Sequence, residues 1–318
     1  MKILFTGSSS FTGYWFIRQL IENGHQVIAT FRGSETSYDG IRLQRVVQLQ
    51  STARCFFDCS FGSQKFLELI NNQDQWDLLC HHAADVTDYK NPNFDAIGAL
   101  SKNTQNLTQV LKALKAKGCS QVVLTGSVFE QEEGIGTDPQ RAFSPYGLSK
   151  GMTSDYFRYY CLVNGFALGK FVIPNPFGPY EDARLTSYLM QTWAKGGIVE
   201  IKTPEYVRDN IHISLLALAY SEFVSSLPKA SSFERYSPSG YVEKQGEFVK
   251  RFAEAMRLRL GLPCEIVLHD QRDFPEPRIR ANSDLVDGTK MGWDEQAAWD
   301  AIAAFYKTLI LSKSENEC

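Results

Sequence analysis

The chain has 318 residues, of which 43% are hydrophobic, and it carries a formal net charge of −3. That length and apolar fraction allow one large or two smaller domains with buried cores. The mild negative charge and the lack of a basic stripe disfavour nucleic acid or an anionic membrane as a partner. Because no apolar run approaches the roughly 20 residues of a membrane span and no signal-peptide pattern is present, we expect a cytoplasmic protein.

The seven cysteines are scattered along the chain, with no CxxC pair and no zinc-like grouping with histidine. An odd number of cysteines in a chain of this size is typical of free thiols in a reducing compartment. We therefore predict neither a disulfide framework nor a metal site.

Short β-rich runs alternate with helical patterns over residues 1–174. The predicted strands are 2–5, 26–31, 53–57, 76–84, 121–127 and 167–174, and the predicted helices are 13–23, 62–72, 93–117 and 145–164. This alternation predicts an α/β fold, a Rossmann-type doubly wound parallel sheet covered on both faces. Prolines interrupt the pattern afterwards, so we expect residues 175–318 to form a smaller mixed α/β region that binds substrate, with some segments returning to the Rossmann domain.

The turn after the first strand reads TGSSSFTG at residues 6–13. Gly7 permits a sharp turn, Gly13 permits close helix packing, and the helix N-terminus favours a phosphate. Ser10 stands where a dinucleotide loop usually has its middle glycine, and its hydroxyl is able to donate to a phosphate oxygen. Because a strand precedes the turn and a helix follows it, we predict a dinucleotide cradle that includes Phe11 and Thr12, over a generic polar turn.

The second strand ends without the acidic residue that commonly binds the adenosine ribose of NAD. Phe31 occupies that position, and Arg32 and Ser34 follow. A guanidinium group suits a 2′-phosphate, so this strand end favours NADP(H), with NAD(H) as the alternative. Arg32 also fits an ordinary solvated loop arginine with no role in binding. Asp58 and Cys59, after the third strand, are predicted near the adenine, although Asp58 also fits an ordinary loop aspartate.

Residues 144–150 read SPYGLSK, which predicts a helix capped by Ser144 with Pro145 at its first position. Tyr146 and Lys150 then share one face of that helix. A nearby ammonium group is expected to lower the tyrosine pKa from about 10, which makes the phenol a usable general acid or base. At the end of the fifth strand, Thr125 and Ser127 each offer a hydroxyl for the substrate oxygen.

Seven segments in this order resemble the extended short-chain dehydrogenase/reductase family of the NAD-dependent epimerase/dehydratase type. They are TGSSSFTG at 6–13, HHAA at 81–84, Asn103, YGLSK at 146–150, NPFGPYE at 175–181, RDNIHISLLA at 208–217 and MGW at 291–293. The resemblance covers nearly the whole chain, and Ser10 is a departure from the family's loop. It implies a variant phosphate cradle.

The resemblance also implies residue roles. Tyr146 would be the acid/base, and Lys150 would in addition hold the nicotinamide ribose. The third catalytic member lies four residues before an aromatic residue in the family, which favours Thr125 and leaves Ser127 open. Further cofactor contacts would come from His82, Ala83, Ala84, Asn103 and Pro174, and substrate contacts from Asp85, Asn175, Arg184, Arg208 and Arg278.

The implied activity is hydride transfer at C4 of a nucleotide-diphosphate sugar. Arg32 tilts the prediction toward an NADPH-consuming 4-keto-reductase and leaves a 4-epimerase as the alternative. Dehydration is disfavoured because Gly126 and Ser127 replace the acidic pair that follows the catalytic threonine in dehydratases. A non-catalytic NADP(H) sensor or scaffold is disfavoured by the intact tyrosine–lysine pair. The family also implies a homodimer through the helices near 93–117 and 145–164.

Overall fold

The computed structural model describes residues 1–136 and 141–314 of the chain. Its elements, in chain order, are β1 (Lys2–Thr6), α1 (Phe11–Glu22), β2 (Gln26–Thr30), α2 (Gly40–Gln50), β3 (Arg54–Phe56), α3 (Gln64–Asn71), β4 (Leu78–His81), α4 (Ala96–Asn103), α5 (Leu107–Ala116), β5 (Gln121–Ser127), β6 (Ile135–Gly136), α6 (Pro145–Val163), β7 (Ala167–Ile173), β8 (Asn175–Phe177), α7 (Leu185–Ala194), β9 (Val199–Ile201), β10 (Val207–His212), α8 (Ile213–Ser226), β11 (Phe233–Tyr236), β12 (Pro238–Ser239), β13 (Tyr241–Lys244), α9 (Gln245–Leu260), β14 (Ile266–Leu268), β15 (Ile279–Ala281), β16 (Asp284–Leu285) and α10 (Glu295–Ser314).

The central sheet has seven strands in the order β11-β7-β5-β4-β1-β2-β3, and every neighbouring pair is parallel. Its inner strands, such as β1, β4 and β5, are mostly apolar and buried because both faces of the sheet are covered. One face packs against α1, α2 and α8, and the other packs against α3, α5 and α6. The predicted Rossmann-type fold is confirmed, and the order reverses beside β1, where β1 pairs with both β2 and β4. Open sheets bind ligands at the carboxyl ends of the strands next to such a reversal.

Residues after 174 contribute to two parts of the molecule. The strand β11 pairs with β7 at the edge of the central sheet, and α8 packs against α1. The remaining strands form small sheets around β10, which pairs with β8, β13 and β15. Behind them lies a separate apolar core built from α7, α9 and α10. This second core places β8 and β10 beside the carboxyl end of the central sheet.

The observed helices differ from the predicted ones at two places. The predicted helix 93–117 is two helices, α4 and α5, because Asn106 adopts a left-handed backbone conformation with φ of 52°. There the chain approaches Gly62 so closely that a Cβ on this glycine would lie 1.9 Å from the Gln105 carbonyl oxygen. The helix α2 was not predicted. None of the helices in the described ranges is long and apolar enough to cross a bilayer.

Candidate active site

The turn between β1 and α1 leaves no room for side chains at its two glycines. Gly7 has a φ of 77°, and a Cβ there would lie 2.8 Å from the backbone nitrogen of Ala83. A Cβ on Gly13 would lie 2.5 Å from the Gly7 carbonyl oxygen. The turn, the first turn of α1 and the loop after β4 therefore meet at backbone contact distance. This is the close packing that a dinucleotide cradle requires, with the diphosphate at the N-terminus of α1.

Ser10 caps α1 from inside this turn. Its hydroxyl donates to the Gly7 carbonyl oxygen at 2.8 Å and accepts from the Gly13 amide at 3.1 Å. The sequence indicates that this hydroxyl is able to donate to a phosphate oxygen, and in the structure it donates to the Gly7 carbonyl oxygen. Phe11 follows as the first residue of α1, and its ring is buried. Ser10 thus stabilises the turn by capping α1, whereas a glycine at this position would leave the turn more flexible.

His82 joins the cradle to the end of β5. Its Nε2 atom lies 3.0 Å from Ser10 Oγ and 2.9 Å from Thr12 Oγ1. On the other side of the ring, its Nδ1 atom lies 2.9 Å from Thr125 Oγ1. Burial and, to a smaller extent, the positive charge of Lys150 lower the pKa of His82 to about 3. The imidazole is therefore neutral at physiological pH and bridges three hydroxyl groups.

The loop after β4 is tied down by Thr6 and Asn103. The Thr6 hydroxyl oxygen accepts from the backbone nitrogens of His82 at 3.2 Å and Ala83 at 3.1 Å. The Asn103 side chain accepts from the Asp85 backbone nitrogen at 2.8 Å. Ala84 lies between these two contacts. Asn103 therefore shapes the loop, and its predicted contact with the cofactor stays a prediction.

The start of α6 agrees with the predicted helix signals. Ser144 caps the helix by accepting from the Gly147 amide at 3.2 Å, and Pro145 occupies its first turn. One turn further on, the buried Lys150 ammonium donates to the carbonyl oxygen of Thr125. Burial lowers the pKa of Lys150, and the neighbouring carboxylate of Glu130 acts in the opposite direction. Lys150 thereby locks α6 onto the end of β5.

The pKa of Tyr146 differs from our prediction. Burial raises this pKa above its ordinary value, the Glu130 carboxylate raises it further, and Arg184 opposes both. We predicted that Lys150 lowers this pKa, but the ammonium donates to the Thr125 carbonyl oxygen instead. The Tyr146 ring packs edge-on against Tyr89, with the ring centroids 5.5 Å apart. The phenol is therefore protonated at neutral pH.

Thr125 and Ser127 have different surroundings. Thr125 is buried, its hydroxyl contacts His82, and its carbonyl oxygen accepts from Lys150. The Ser127 hydroxyl accepts from the Phe129 amide at 3.3 Å within its own turn. The Thr125 hydroxyl is the one connected to the rest of the candidate site, which favours it for the third catalytic position.

A buried charge cluster beneath these residues was missed by sequence reasoning. The Lys170 ammonium lies 2.7 Å from a carboxylate oxygen of Glu130 and 2.7 Å from one of Glu133. Glu130 also accepts from the Ser127 amide at 2.7 Å. A Cβ on Gly126 would lie 2.8 Å from Lys170 Cε, which explains the glycine there. Glutamates in a loop are ordinarily solvated, so no sequence pattern points to this cluster.

The carboxyl end of β2 opens into a cavity of about 400 Å³, which is lined by Ser9, Arg32, Gly33, Ser37, Tyr38, Asp39, Gly40, Ile41, Arg42 and Asp182. Arg32 is exposed here, and its predicted contact with a 2′-phosphate stays a prediction; the lining includes Ser37 and not Ser34. Arg42 was missed because it belongs to the unpredicted helix α2. Phe31 points away from the cavity and stacks on Phe57, with the ring centroids 4.7 Å apart. The cavity therefore combines two exposed guanidinium groups with two carboxylates.

Asp58 and Cys59 border the same end of the sheet. Asp58 has a left-handed φ of 51°, and its backbone nitrogen donates to the Gly33 carbonyl oxygen at 3.0 Å. Cys59 is buried, and burial raises the pKa of its thiol to about 11. Asp58 thus fixes the chain beside the loop after β2, and its predicted contact with adenine remains a prediction.

The predicted substrate arginines are held differently from one another. Arg208 is buried and donates to a carboxylate oxygen of Glu276 at 3.0 Å and to the Pro277 carbonyl oxygen at 3.0 Å. The Arg278 guanidinium lies 3.9 Å from the centroid of the Phe274 ring. Arg184 is exposed at the start of α7, near enough to influence the pKa of Tyr146. Of the three, Arg184 and Arg278 are exposed and Arg208 is buried.

The remaining predicted substrate contacts lie on either side of the site. The Asn175 side chain donates to the Asp209 carbonyl oxygen at 3.1 Å, which joins β8 to β10. Pro174 separates β7 from β8 at the point where the chain leaves the central sheet. Asp85 is buried, and the exposed Lys102 donates to its carboxylate at 2.8 Å. In the described ranges, no three His, Cys, Asp or Glu side chains gather as potential metal ligands.

Fold and site together define a dinucleotide-binding α/β protein with a tyrosine–lysine pair at the carboxyl edge of its sheet. The chain belongs to the NAD dependent epimerase/dehydratase family, whose model matches residues 3–237. This confirms the family that the sequence motifs predict. No curated protein sequence matches the chain.

Solved structures with the same fold cover almost the entire chain. A UDP-glucose 4-epimerase from Thermotoga maritima, with UDP-glucose, has a TM-score of 0.73 at 18% identity, covering 98% of this chain and 100% of its own. A UDP-glucuronic acid 4-epimerase from Bacillus cereus, in complex with UDP-glucuronic acid and NAD, has a TM-score of 0.73 at 14% identity, with 97% and 100% covered. A dTDP-glucose 4,6-dehydratase from Streptomyces venezuelae, with NAD, has a TM-score of 0.70 at 17% identity, with 97% of both chains covered.

Proposed function

We propose that this protein transfers a hydride between a nicotinamide dinucleotide and C4 of a nucleotide-diphosphate sugar. The observation that carries this proposal is the buried contact between Lys150 and the Thr125 carbonyl oxygen, beside the glycine turn of Gly7 and Gly13. This contact brings the helix that carries Tyr146 to the strand end that faces the cradle. The family to which the chain belongs supports the same reaction class.

Each of these residues has a distinct part in the proposed reaction. The turn between Gly7 and Gly13 holds the diphosphate of the dinucleotide, which supplies or accepts the hydride when bound. Tyr146 exchanges a proton with the oxygen on C4, and Thr125 contacts that oxygen and fixes its position. Lys150 holds α6 against β5 and adds positive charge next to the reacting oxygen.

We favour reduction of a 4-keto sugar by NADPH. Burial raises the pKa of Tyr146, so the phenol begins the reaction protonated and serves as a proton donor to the oxygen of a ketone that receives a hydride. Arg32 and Arg42 line the cavity at the end of β2, where two guanidinium groups suit a 2′-phosphate. Both observations favour the reductive direction and the phosphorylated dinucleotide.

Epimerisation at C4 is the second candidate. Its specific support is the similarity to solved structures of 4-epimerases, one of them in complex with NAD. An epimerase retains its dinucleotide and returns the hydride to the other face of the sugar. The two candidates share every catalytic residue and differ in whether the dinucleotide is consumed.

The nucleotide-diphosphate sugar would lie between the central sheet and the region after residue 174. We propose that Arg184 and Arg208 bind its diphosphate, with Arg278, Asn175 and Asp85 as further contacts. Arg208 is paired with Glu276, so diphosphate binding by this arginine requires that the carboxylate be displaced. Arg184 needs no such exchange because it is exposed.

We also propose a homodimer through α4 and α6. These helices expose large apolar side chains, including Ile97 at 68%, Tyr159 at 62% and Val163 at 61% of their full accessible area. Tyr159 and Val163 are four residues apart and share one face of α6, and contiguous exposed apolar groups commonly mark protein–protein contacts.

The experiment that tests the proposed function compares two reactions. In the first, the purified protein is supplied with 4-keto-6-deoxy nucleotide sugars and NADPH, and NADPH oxidation is followed. In the second, it is supplied with UDP-glucose-type sugars and no added dinucleotide, and C4 configuration is followed. We expect stoichiometric NADPH oxidation in the first reaction. Inversion at C4 without net oxidation would identify the epimerase, and activity in neither reaction would overturn the proposal.

A further inference from the structure

His82 contacts the phosphate cradle with one ring nitrogen and a catalytic hydroxyl with the other. We infer that His82 is a positioning residue that sets the direction of the Thr125 hydroxyl and links it to the cradle at Ser10 and Thr12. This inference rests on the proposed function, in which Thr125 contacts the oxygen on C4. It assigns His82 a role beyond the contact with the cofactor that the HHAA segment implies.

The hydrogen bonds of Ser10 favour one tautomer of the His82 ring. The single proton of the Ser10 hydroxyl is donated to the Gly7 carbonyl oxygen at 2.8 Å. Toward His82 the Ser10 oxygen is therefore only an acceptor, at 3.0 Å from Nε2. We place the one N–H group of the neutral imidazole on Nε2, which lies 3.0 Å from Ser10 Oγ and 2.9 Å from Thr12 Oγ1, and this leaves Nδ1 as an acceptor.

The tautomer of His82 in turn determines how Thr125 is used. Since Nδ1 is an acceptor, the Thr125 hydroxyl donates to it across 2.9 Å. The Thr125 oxygen then has only lone pairs left, which accept from a hydroxyl group on C4 and provide no donor to a ketone. The site consequently favours the alcohol form of the sugar, which is the product of the proposed reduction.

His82 orients the threonine and does not relay protons. Relay through the ring requires a positively charged imidazolium as an intermediate. The ring is enclosed by the cradle and β5, and the positive charge of Lys150 acts on it. Both features oppose a second proton on the imidazole, so its contribution is to hold the Thr125 hydroxyl in one orientation.

The first experiment measures the tautomer directly. Long-range ¹H–¹⁵N spectra of the full chain contain signals from five histidines, and the His82 signals are assigned by their loss in His82→Gln. We expect a neutral ring at pH 7 with the proton on Nε2, and we expect Thr125→Val to shift the Nδ1 signal toward that of a nitrogen with no donor. A proton on Nδ1, a charged ring, or an Nδ1 signal unaffected by Thr125→Val would overturn the inference.

The second experiment separates the two ends of the ring. Asparagine places a polar atom near the position of Nδ1, and glutamine places one near Nε2. We expect His82→Leu to lower kcat by about three- to tenfold, the range typical of one lost hydrogen bond, and His82→Asn to restore most of it. We expect His82→Gln to keep the NADPH affinity close to that of wild type while kcat stays low. Equal behaviour of the Asn and Gln variants would contradict separate roles for the two nitrogens.

A double-mutant cycle tests whether His82 acts through Thr125. In the Thr125→Val background, His82→Leu should cause little further loss of kcat, because the hydroxyl that it orients is gone. Ser127→Ala is the matched control background, in which the full effect of His82→Leu should persist. Additive losses in both backgrounds would contradict the inference. If no nucleotide sugar is turned over, the proposed function fails, whereas the NMR experiment still decides whether His82 holds Thr125.

Discussion

The carboxyl edge of the central sheet contains two regions that differ in how their polar side chains are held. In one region these side chains are hydrogen-bonded to one another, and in the other they are exposed. The first region lies where β1, β4 and β5 end. There the side chains of His82, Lys150 and Thr125 form hydrogen bonds with one another or with the adjacent turn. At the end of β2, by contrast, Arg32 and Arg42 are exposed around a cavity of about 400 Å³. The side chains of the first region are held in place by one another, which is what efficient proton transfer requires.

Not every arginine near this second region is exposed, as Arg45 shows. It lies three residues after Arg42, yet it is fully buried and donates to the Tyr180 carbonyl oxygen and to Asp182, both at 2.8 Å. Arg45 fixes α2, and Arg32 and Arg42 are left to face the cavity. We therefore expect substitutions in the first region to change the rate of the reaction. We expect substitutions of the exposed arginines in the second region to change which dinucleotide is preferred.

The largest effect is expected at Tyr146. Tyr146→Phe removes only the phenolic oxygen, so turnover should fall by about 10² to 10⁴-fold, the usual contribution of general acid–base catalysis. Dinucleotide affinity, measured by calorimetry, should stay close to that of wild type. Tyr89→Phe, which removes a hydroxyl from the ring that packs against Tyr146, is the matched control and should cost far less. Undiminished turnover in Tyr146→Phe would remove the proposed mechanism.

The next effect concerns the two hydroxyls at the end of β5. Thr125→Ala should lower kcat by about 10²-fold, the loss that misplacement of the reacting oxygen typically causes, because this substitution removes the group that fixes the oxygen on C4. Ser127→Ala should cost much less, because that hydroxyl bonds within its own turn. Steady-state kinetics on both variants decide the assignment, and the reverse order would transfer the third catalytic role to Ser127.

A stability effect is expected at Glu181, which anchors the region after residue 174. Its carboxylate accepts from the hydroxyls of Thr186 and Tyr306, the latter on α10, and burial raises its pKa from 4.5 to about 7. A carboxyl group with a raised pKa stabilises the fold while protonated. This contribution is complete below about pH 4.5 and is lost as the pH rises through 7.

Between pH 5 and pH 8 this loss amounts to about 2 kcal/mol of unfolding free energy. Glu181→Gln keeps the site neutral and should flatten the pH dependence of urea unfolding by that amount. Glu254→Gln, at an exposed glutamate on α9, is the control. An identical pH dependence in Glu181→Gln and wild type would show that this carboxyl is not protonated in the folded state.

The smallest effect is expected at the open region. Arg32→Ala and Arg42→Ala should each weaken NADPH binding by about tenfold and leave NADH binding nearly the same, since exposed charge-assisted hydrogen bonds contribute at the low end of their range. Arg54→Ala, an exposed arginine on β3, is the control. Tighter binding of NAD than of NADP by the wild type, or unchanged NADPH affinity in Arg32→Ala, would show that the residues at the end of β2 do not select a dinucleotide with a 2′-phosphate.

Local spacing made the cradle and the start of α6 predictable. Gly7 and Gly13 bracket one turn, and Tyr146 and Lys150 lie one helical turn apart, so sequence alone places each pair. The predicted shift in the pKa of Tyr146 was wrong, because this pKa depends on burial and on Glu130, which reaches the site through tertiary packing. Neither effect leaves a periodic signal in the sequence.

The same distinction explains the other differences. The break between α4 and α5 occurs at Asn106, where the chain approaches Gly62 from a distant part of the sequence. The pairing of Arg208 with Glu276 joins residues that are 68 positions apart. Such contacts are determined by the arrangement of elements, which propensities and motifs do not encode.

Hydride transfer to C4 is the central claim, and isotope transfer tests it most directly. The purified protein is incubated with a 4-keto-6-deoxy nucleotide sugar and NADPH that carries deuterium at the transferable position of the nicotinamide, with Tyr146→Phe as the control protein. We expect wild type to yield a sugar that carries one deuterium at C4, located by mass spectrometry and NMR, and the variant to yield almost none. A reduced sugar with hydrogen at C4, or deuterium at another carbon, would contradict the claim.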